Sequence, residues 1–192
     1  MEHRQGAAIS APLLGLLPVT NPELRHRCDL VDDVHDPAFL EATARLRATL
    51  DAFRAAYGFG RAIAAPQLGV PLRCLALRLP GWPDLLVNPE LVWQADDTFT
   101  MWDDCMSFPD LLVRLRRRRS IAIRYLDAHG APRETPPLDL AVAELLQHEI
   151  DHFDGILALD RAIDPSAVVR REAFDAEPAR FRAMVDYVIA PP

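Results

Sequence analysis

Apolar residues recur at intervals of three and four over 37–57, which is the spacing of one face of a helix. Phe39 and Phe53 belong to this stripe. Asp36 precedes the stretch and Gly58 follows it. Aspartate is a preferred N-cap residue, and glycine commonly ends a helix. The pattern therefore predicts a first helix over these residues.

Two more segments have helical spacing. The first extends from about Asp139 to Phe153, with Asp139 suited to the N-cap and Gly155 lying just beyond the end. The second lies in the tail after Asp164, where a stripe predicts a C-terminal helix. Its apolar members are Phe181, Met184, Val185 and Val188.

Short alternating segments between Leu72 and Tyr125 are typical of β-strands. Two of them, 112–116 and 121–125, follow each other closely, which predicts that they form an antiparallel pair. The predicted fold class is α+β, with mostly antiparallel sheets packed around the helix that ends at Phe153 and with a C-terminal helix. One domain over 1–192 is expected, with 1–16 as an N-terminal extension.

Composition excludes several classes of protein. The 192 residues are 50% hydrophobic and 26% charged, which is unlike a disordered chain. A net charge of -7 argues against DNA binding, which depends on neutralising phosphates. No apolar run approaches the ~20 residues of a membrane helix. Three cysteines are too few for a disulfide scaffold. Glu2, and Pro12 and Pro18 within the apolar stretch, favour a docked N-terminal segment over a signal peptide, so we expect a cytoplasmic protein.

The segment Gln147–Gly155, QHEIDHFDG, carries the strongest chemical signal. His148 and His152 lie one helical turn apart, so both imidazoles can bind one metal ion. Glu149 lies beside them and can take a proton from a metal-bound water. The alternative is a surface helix that has this pattern by chance, but the helix is amphipathic and favours an inward-facing pair.

A catalytic metal site of this kind needs a third protein ligand. None of the other four histidines is well placed. Cys105, in the segment WDDCMSFPD, is the candidate, because a thiolate binds divalent metals well. A buried core cysteine is the alternative for Cys105, and it is the expectation for Cys28 and Cys74.

A third segment, Gly60–Gly69, is GRAIAAPQLG, and alone it indicates no more than a tight packing corner. Taken with the other two segments, however, it resembles the peptide deformylase family in order and spacing. That family carries G-x-G-h-A-A-x-Q, E-G-C-h-S and Q-H-E-h-D-H, where h is an apolar residue. The corresponding segments here are GRAIAAPQ, DDCMS and QHEIDH. The resemblance covers roughly Leu17 to Pro165.

The resemblance implies a hydrolase that removes the N-formyl group from the N-terminal methionine of nascent polypeptides. Cys105, His148 and His152 would bind one divalent ion, Fe(II) in the native enzyme, with zinc, nickel or cobalt as alternatives. Glu149 would act as general base towards the metal-bound water and then as acid towards the leaving amine. The implied partner is an N-formylated peptide or nascent chain, with transient contact to the ribosome.

The resemblance also implies roles for residues that do not bind metal. The Gln67 side-chain amide and the Met106 backbone N–H would stabilise the developing oxyanion. The substrate would bind along three consecutive residues, Gly60, Arg61 and Ala62.

This sequence departs from the family pattern at four positions. Ala62 replaces a glycine, Arg61 replaces an apolar residue, and Asp103 and Asp104 replace Glu and Gly. The family's Glu pairs with a downstream arginine, and Arg117 is in register for that role. Arg61 has two options: an ion pair with Asp103 or Asp104, which we favour, or projection into the pocket towards an anionic substrate group.

Three functions compete at this point. The first is an active peptide deformylase, and the second is the same chemistry on another N-formyl amine or small metabolite, suggested by Arg61 and Ala62. The third is a catalytically silent binding relative, which would have no need of all the metal-site residues. The arginine run 116–119 is predicted to be a solvated, ion-paired strand edge in preference to a site for ribosomal RNA.

Overall fold

Two antiparallel sheets and four α-helices make up the fold of residues 15–189, which confirms the α+β class. The computed structural model describes residues 15–189, so most of the predicted N-terminal extension lies outside the described residues. The strands are β1 Ala62–Ala64, β2 Cys74–Leu77, β3 Leu85–Gln94, β4 Thr98–Asp104, β5 Leu111–Arg118, β6 Ile121–Leu126, β7 Pro132–Glu134 and β8 Val168–Arg170. The helices are α1 Pro37–Tyr57, α2 Leu140–Phe153, α3 Arg171–Ala176 and α4 Pro178–Arg182, with 3-10 turns at Pro22–Arg25, Ala65–Leu68 and Ala158–Arg161.

The strand order is β1-β2-β3-β6-β7 in one sheet and β4-β5-β8 in the other. The predicted pairing of β5 with β6 is therefore wrong. The chain leaves the first sheet after β3 and returns to it after β5, and these two connections bond to each other. The N–H of Ala95 donates to the Ser120 carbonyl and that of Arg119 to the Asp97 carbonyl, each at 2.9 Å. Alternation in the sequence specifies the faces of a strand but not its neighbours.

Helix α1 has the predicted bounds, and its ends have the expected caps. The Asp36 carboxylate accepts a hydrogen bond from the Phe39 N–H at 2.9 Å, and Gly58 takes a left-handed conformation. The inner face, which includes the fully buried Leu50 and Phe53, packs on β1 and β2. The helix thereby supports the strand that enters the site described below.

Helix α2 also has the predicted bounds, and it contacts both β1 and β5. Every residue from 143 to 153 is buried. The chain then turns at Gly155, where φ is +70° and a Cβ would lie 2.3 Å from the Arg25 carbonyl oxygen. Because α2 is enclosed, each of its polar side chains needs a partner or a function.

The C-terminal helix is confirmed as two short helices, α3 and α4, of which the second ends at Arg182. The predicted stripe is helical only at Phe181, because the chain then runs beside β4. The N–H groups of Asp186 and Tyr187 both donate to the Thr100 carbonyl at 3.1 Å. The stripe residues beyond the helix are Met184, Val185 and Val188. Within residues 15–189, no helix is long and apolar enough to cross a membrane.

Candidate active site

Three buried side chains with metal-ligating atoms meet between α2 and the end of β4. His148 and His152 come from one face of α2, and Cys105 directly follows β4. The Nε2 atom of His152 lies 3.3 Å from Nε2 of His148 and 3.5 Å from Sγ of Cys105. The helical spacing sets the first distance, whereas the second depends on how the three-stranded sheet packs on α2.

The chemistry and spacing of this donor set fit a divalent ion. Bond lengths of about 2.0 Å to nitrogen and 2.3 Å to sulfur in a tetrahedral site separate the ligand atoms by about 3.3–3.6 Å. The ligating atoms of Cys105, His148 and His152 all lie within 4.8 Å of one another. Cys28 and Cys74 are also buried, but burial raises their pKa values to about 11 and 12, which suits the predicted core cysteines.

Asp103 orients His148 for a ligand role. Its Oδ2 atom lies 2.9 Å from Nδ1 of His148 and 3.0 Å from Nη2 of Arg117. Burial alone would raise the pKa of Asp103, but His148 and Arg117 outweigh it and hold this pKa well below its usual range. The contact places the Nδ1 proton of His148 towards Asp103 and leaves Nε2 to face the cysteine and the second histidine.

The two imidazoles differ in their charge environment. Burial lowers the pKa of His148, but Asp103 outweighs burial and holds it well above its usual range. Burial, assisted by the positive charge on His148, holds the pKa of His152 well below its usual range. His152 is therefore already neutral, the form that binds a metal, whereas His148 would have to release its Nε2 proton to bind one.

Arg117 is the centre of a buried charge network. Its side chain contacts Asp103 at one end and Asp151 of α2 at the other, and Arg161 also donates to Asp151. The prediction of a solvated strand edge is therefore wrong for Arg117, which is 3% exposed. Side chains alternate between the two faces of β5, and Arg117 lies on the buried face while its neighbour Arg116 is exposed.

Glu149 is buried next to the histidines, and the surrounding protein leaves part of its hydrogen-bonding capacity unused. Its Oε2 atom has no hydrogen-bond partner among the described residues. Burial raises the pKa of Glu149 to about 7, although the charge of His148 opposes this in part. A carboxyl group with a free oxygen and such a pKa is suited to exchanging protons near neutral pH.

The Gln67 side chain is held in one orientation. Its Oε1 atom accepts a hydrogen bond from the Ala64 N–H at 2.9 Å, so Nε2 points towards Sγ of Cys105 at 3.5 Å and Oγ of Ser107 at 3.3 Å. The N–H of Met106 has no hydrogen-bond partner in the part of the chain that the structure describes. Two donors thus lie beside Cys105.

A cavity of about 210 Å³ opens onto these groups. The end of the cavity nearest to the candidate metal ligands is formed by Gln67, Cys105, Met106, His148 and Glu149. The lining also includes Gly60, Arg61, Ala62 and Glu144, and the C-terminal tail supplies Val185, Tyr187, Val188 and Ile189. A small reactive group can therefore reach Cys105 and His148 while a longer substituent occupies the rest of the cavity.

A model of the polypeptide deformylase family matches residues 13–167 of this chain. The chain belongs to the peptide deformylase family. Relatives named peptide deformylase include one from Bartonella tribocorum, 33% identical over 78% of this chain and 84% of its own length. The peptide deformylase 1 of Prochlorococcus marinus is 34% identical over 79% of this chain and 82% of its own length.

Solved peptide deformylases have the same fold. The structure from Thermotoga maritima superposes with a TM-score of 0.70 at 28% identity and covers 78% of this chain and 97% of its own. The structure from Legionella pneumophila also gives 0.70, at 27% identity, and covers 88% of this chain and 95% of its own.

Within this deformylase fold, the structure corrects our expectation for Arg61. Its guanidinium pairs with neither Asp103 nor Asp104 but with Glu144 of α2, through Nη2 and Oε1 at 2.5 Å. Asp104 pairs instead with Arg171, and Asp103 reaches the predicted arginine of β5 despite its shorter side chain.

Glu144 is the site residue that sequence reasoning missed. It is 1% exposed, and burial raises its pKa to about 7, although Arg61 opposes this in part. A signal was present in the sequence: Glu144 lies four residues before His148, which places it on the same face of the predicted helix. An acid there was a candidate for the interior of the site.

Proposed function

We propose that this chain removes the formyl group from the N terminus of N-formylated peptides by metal-assisted hydrolysis in the cytoplasm. The formyl-methionine of nascent polypeptides is the first substrate that we assign to it. One observation carries the proposal: in a member of this family, Cys105, His148 and Glu149 line the end of one cavity, and Nε2 of His152 lies 3.5 Å from the Cys105 sulfur. A binding protein would have no need of this combination.

Cys105, His148 and His152 would hold one divalent ion, for which we propose Fe(II) in the native enzyme, with zinc, nickel and cobalt as substitutes. Such an ion would supply a water molecule of lowered pKa and polarise the formyl oxygen. Asp103 keeps the His148 ring oriented, because it accepts from the nitrogen that does not face the cavity.

Glu149 is the proposed general base and acid. Its buried carboxylate takes a proton from the attacking water and later delivers that proton to the leaving amine. A pKa raised to about 7 by burial allows both steps near neutral pH. The cleaved C–N bond leaves formate and a free amino terminus.

Gln67 and Met106 are the proposed oxyanion donors. The Ala64 N–H fixes the Gln67 amide, so Nε2 is presented to the cavity without reorganisation. Two donors aimed at the position of the developing charge stabilise the transition state, by ~3 kcal/mol each in comparable enzymes. We further propose that the substrate backbone runs along the edge of the sheet at Gly60, Arg61 and Ala62.

The test is deformylation of a formyl-Met tripeptide by enzyme loaded with Fe(II) under anaerobic conditions. We expect release of formate with the wild type and loss of turnover in the Glu149→Gln variant. An Asp104→Asn variant is the control, since Asp104 pairs with Arg171 rather than with the histidines. If iron-loaded wild type released no formate from any N-formyl substrate, the proposed reaction would be wrong.

A second candidate is the same reaction on a different N-formyl amine. The Arg61–Glu144 pair favours it, because a charged pair lines a cavity that would otherwise accept an apolar side chain. Transient contact with the ribosome stays a prediction.

A further inference from the structure

An ion pair lies in the cavity beside the metal-ligating residues, and none of the steps proposed above uses it. Nη2 of Arg61 donates to Oε1 of Glu144 at 2.5 Å, and Nη1 donates to the Ala141 carbonyl at 3.2 Å. Both members of the pair line the same cavity as His148 and Glu149. A substrate that reacts in this cavity can therefore place one of its groups against the Arg61–Glu144 pair.

The position of the pair indicates which part of the substrate it contacts. Glu144 lies one turn before His148 on α2, and side chains so spaced have Cβ atoms about 5–6 Å apart. Arg61 directly precedes β1 and reaches across to the same place. Since the reacting carbonyl must lie at the histidines, the pair contacts the substituent nearest to the formylated nitrogen.

The guanidinium retains hydrogen-bonding capacity towards the cavity. An arginine has five N–H donors, and the hydrogen bonds within residues 15–189 use two of them on Arg61. The Arg61 side chain is 19% exposed, whereas that of Glu144 is 1% exposed. The accessible side of the pair is therefore the donor.

Glu144 already balances the positive charge of Arg61, so the pair offers an anionic substituent no net attraction. Among the described residues, the lining contains four carboxylates and only two guanidinium groups. The acids are Asp103, Asp104, Glu144 and Glu149, and the bases are Arg61 and Arg182. An anionic substituent at Arg61 would lie beside the Glu144 carboxylate, so a neutral acceptor is the better match.

We propose that the Arg61–Glu144 pair selects N-formyl substrates whose first side chain carries a neutral hydrogen-bond acceptor, as in glutamine, over those with methionine. The inference rests on the deformylation proposed above and names its substrate class. A thioether is a weak acceptor, so methionine would cover the guanidinium donors without satisfying them.

The experiment compares kcat/KM for tripeptides that differ only in the first residue: formyl-Gln, formyl-Met and formyl-Glu. We expect the wild type to prefer formyl-Gln over formyl-Met by about tenfold to a hundredfold, the value of one hydrogen bond to a charged group. Formyl-Glu should fall below formyl-Gln. In the double variant Arg61→Leu/Glu144→Leu, which leaves no lone buried charge, the order of Gln and Met should reverse.

The control is the double variant Arg47→Leu/Asp84→Leu, which removes an ion pair outside the cavity. It should keep the wild-type order of substrates. Binding of the same peptides to a zinc-loaded Glu149→Gln variant, measured by calorimetry, tests the preference without turnover.

A wild type that prefers formyl-Met in both kinetics and binding would overturn this inference, and so would one that prefers formyl-Glu. These two results do not depend on whether the leucine variants fold. A binding preference for formyl-Gln without formate release from any substrate would support the selection while overturning the proposed reaction.

Discussion

The contact between Asp103 and His148 allows a prediction of how the surrounding protein sets metal affinity. One carboxylate oxygen serves both Nδ1 of His148, at 2.9 Å, and Nη2 of Arg117, at 3.0 Å. Asp103→Asn keeps the shape of the side chain but removes the negative charge of the acceptor that both hydrogen bonds share. Hydrogen bonds that involve a charged group are roughly twice as strong as neutral ones, so the imidazole becomes a weaker metal ligand.

We expect the zinc affinity of Asp103→Asn to fall by about 10–100-fold, the usual cost of losing such an outer partner. The fold should survive, because Arg117 keeps its ion pair with Asp151. Competition with a chromophoric chelator at pH 7.5 measures the affinity, and thermal melting checks the fold. Asp104→Asn is the control, since it removes the same charge one residue along β4 without contact to a histidine.

Two outcomes would refute this reasoning. We expect a loss of zinc affinity of at least about 10-fold. If Asp103→Asn bound zinc within about twofold of the wild type, the carboxylate would not strengthen His148 as a metal ligand. An equal loss in the control would assign the effect to the general charge of the cavity.

Four further changes have expected outcomes. Glu149→Ala should keep its metal, by elemental analysis, but lose at least ~10² in kcat, and normal turnover would contradict the base assignment. Cys105→Ala should lose its metal on dialysis, and retention would exclude a ligand role. Gly155→Ala should lower the urea concentration at the midpoint of unfolding, because its Cβ would lie 2.3 Å from the Arg25 carbonyl oxygen. An unchanged midpoint would contradict this expectation. Burial raises the pKa of Glu144 from 4.5 to about 7, so ionisation of this carboxyl group opposes folding. The free energy of unfolding of the wild type, relative to that of Glu144→Gln, should therefore decrease between pH 4.5 and 7. A difference that stays constant over this range would contradict the raised pKa.

Local features of this chain could be predicted from the sequence, because the residues that form them are close together along the chain. The caps Asp36 and Asp139 bond to N–H groups three residues ahead, so both helices have the predicted bounds. His148 and His152 meet through helical spacing alone.

Distant contacts were harder to predict. Arg61 and Glu144 are 83 residues apart, and the sequence offers Asp103 and Asp104 as equally plausible partners. The resemblance placed Arg117 opposite Asp103. Its burial, however, follows from the packing of β5 on α2, which alternation alone did not predict.

The sequence by itself determined the family, the two long helices and the residue types that a metal-assisted hydrolase needs, because these follow from motifs and short-range periodicity. Only the tertiary structure decided which acid neutralises Arg61, and that the three-stranded sheet brings Cys105 to within 3.5 Å of His152. The physical reason is that a long-range pair depends on how the sheets pack on α2, and many pairings satisfy the same local pattern.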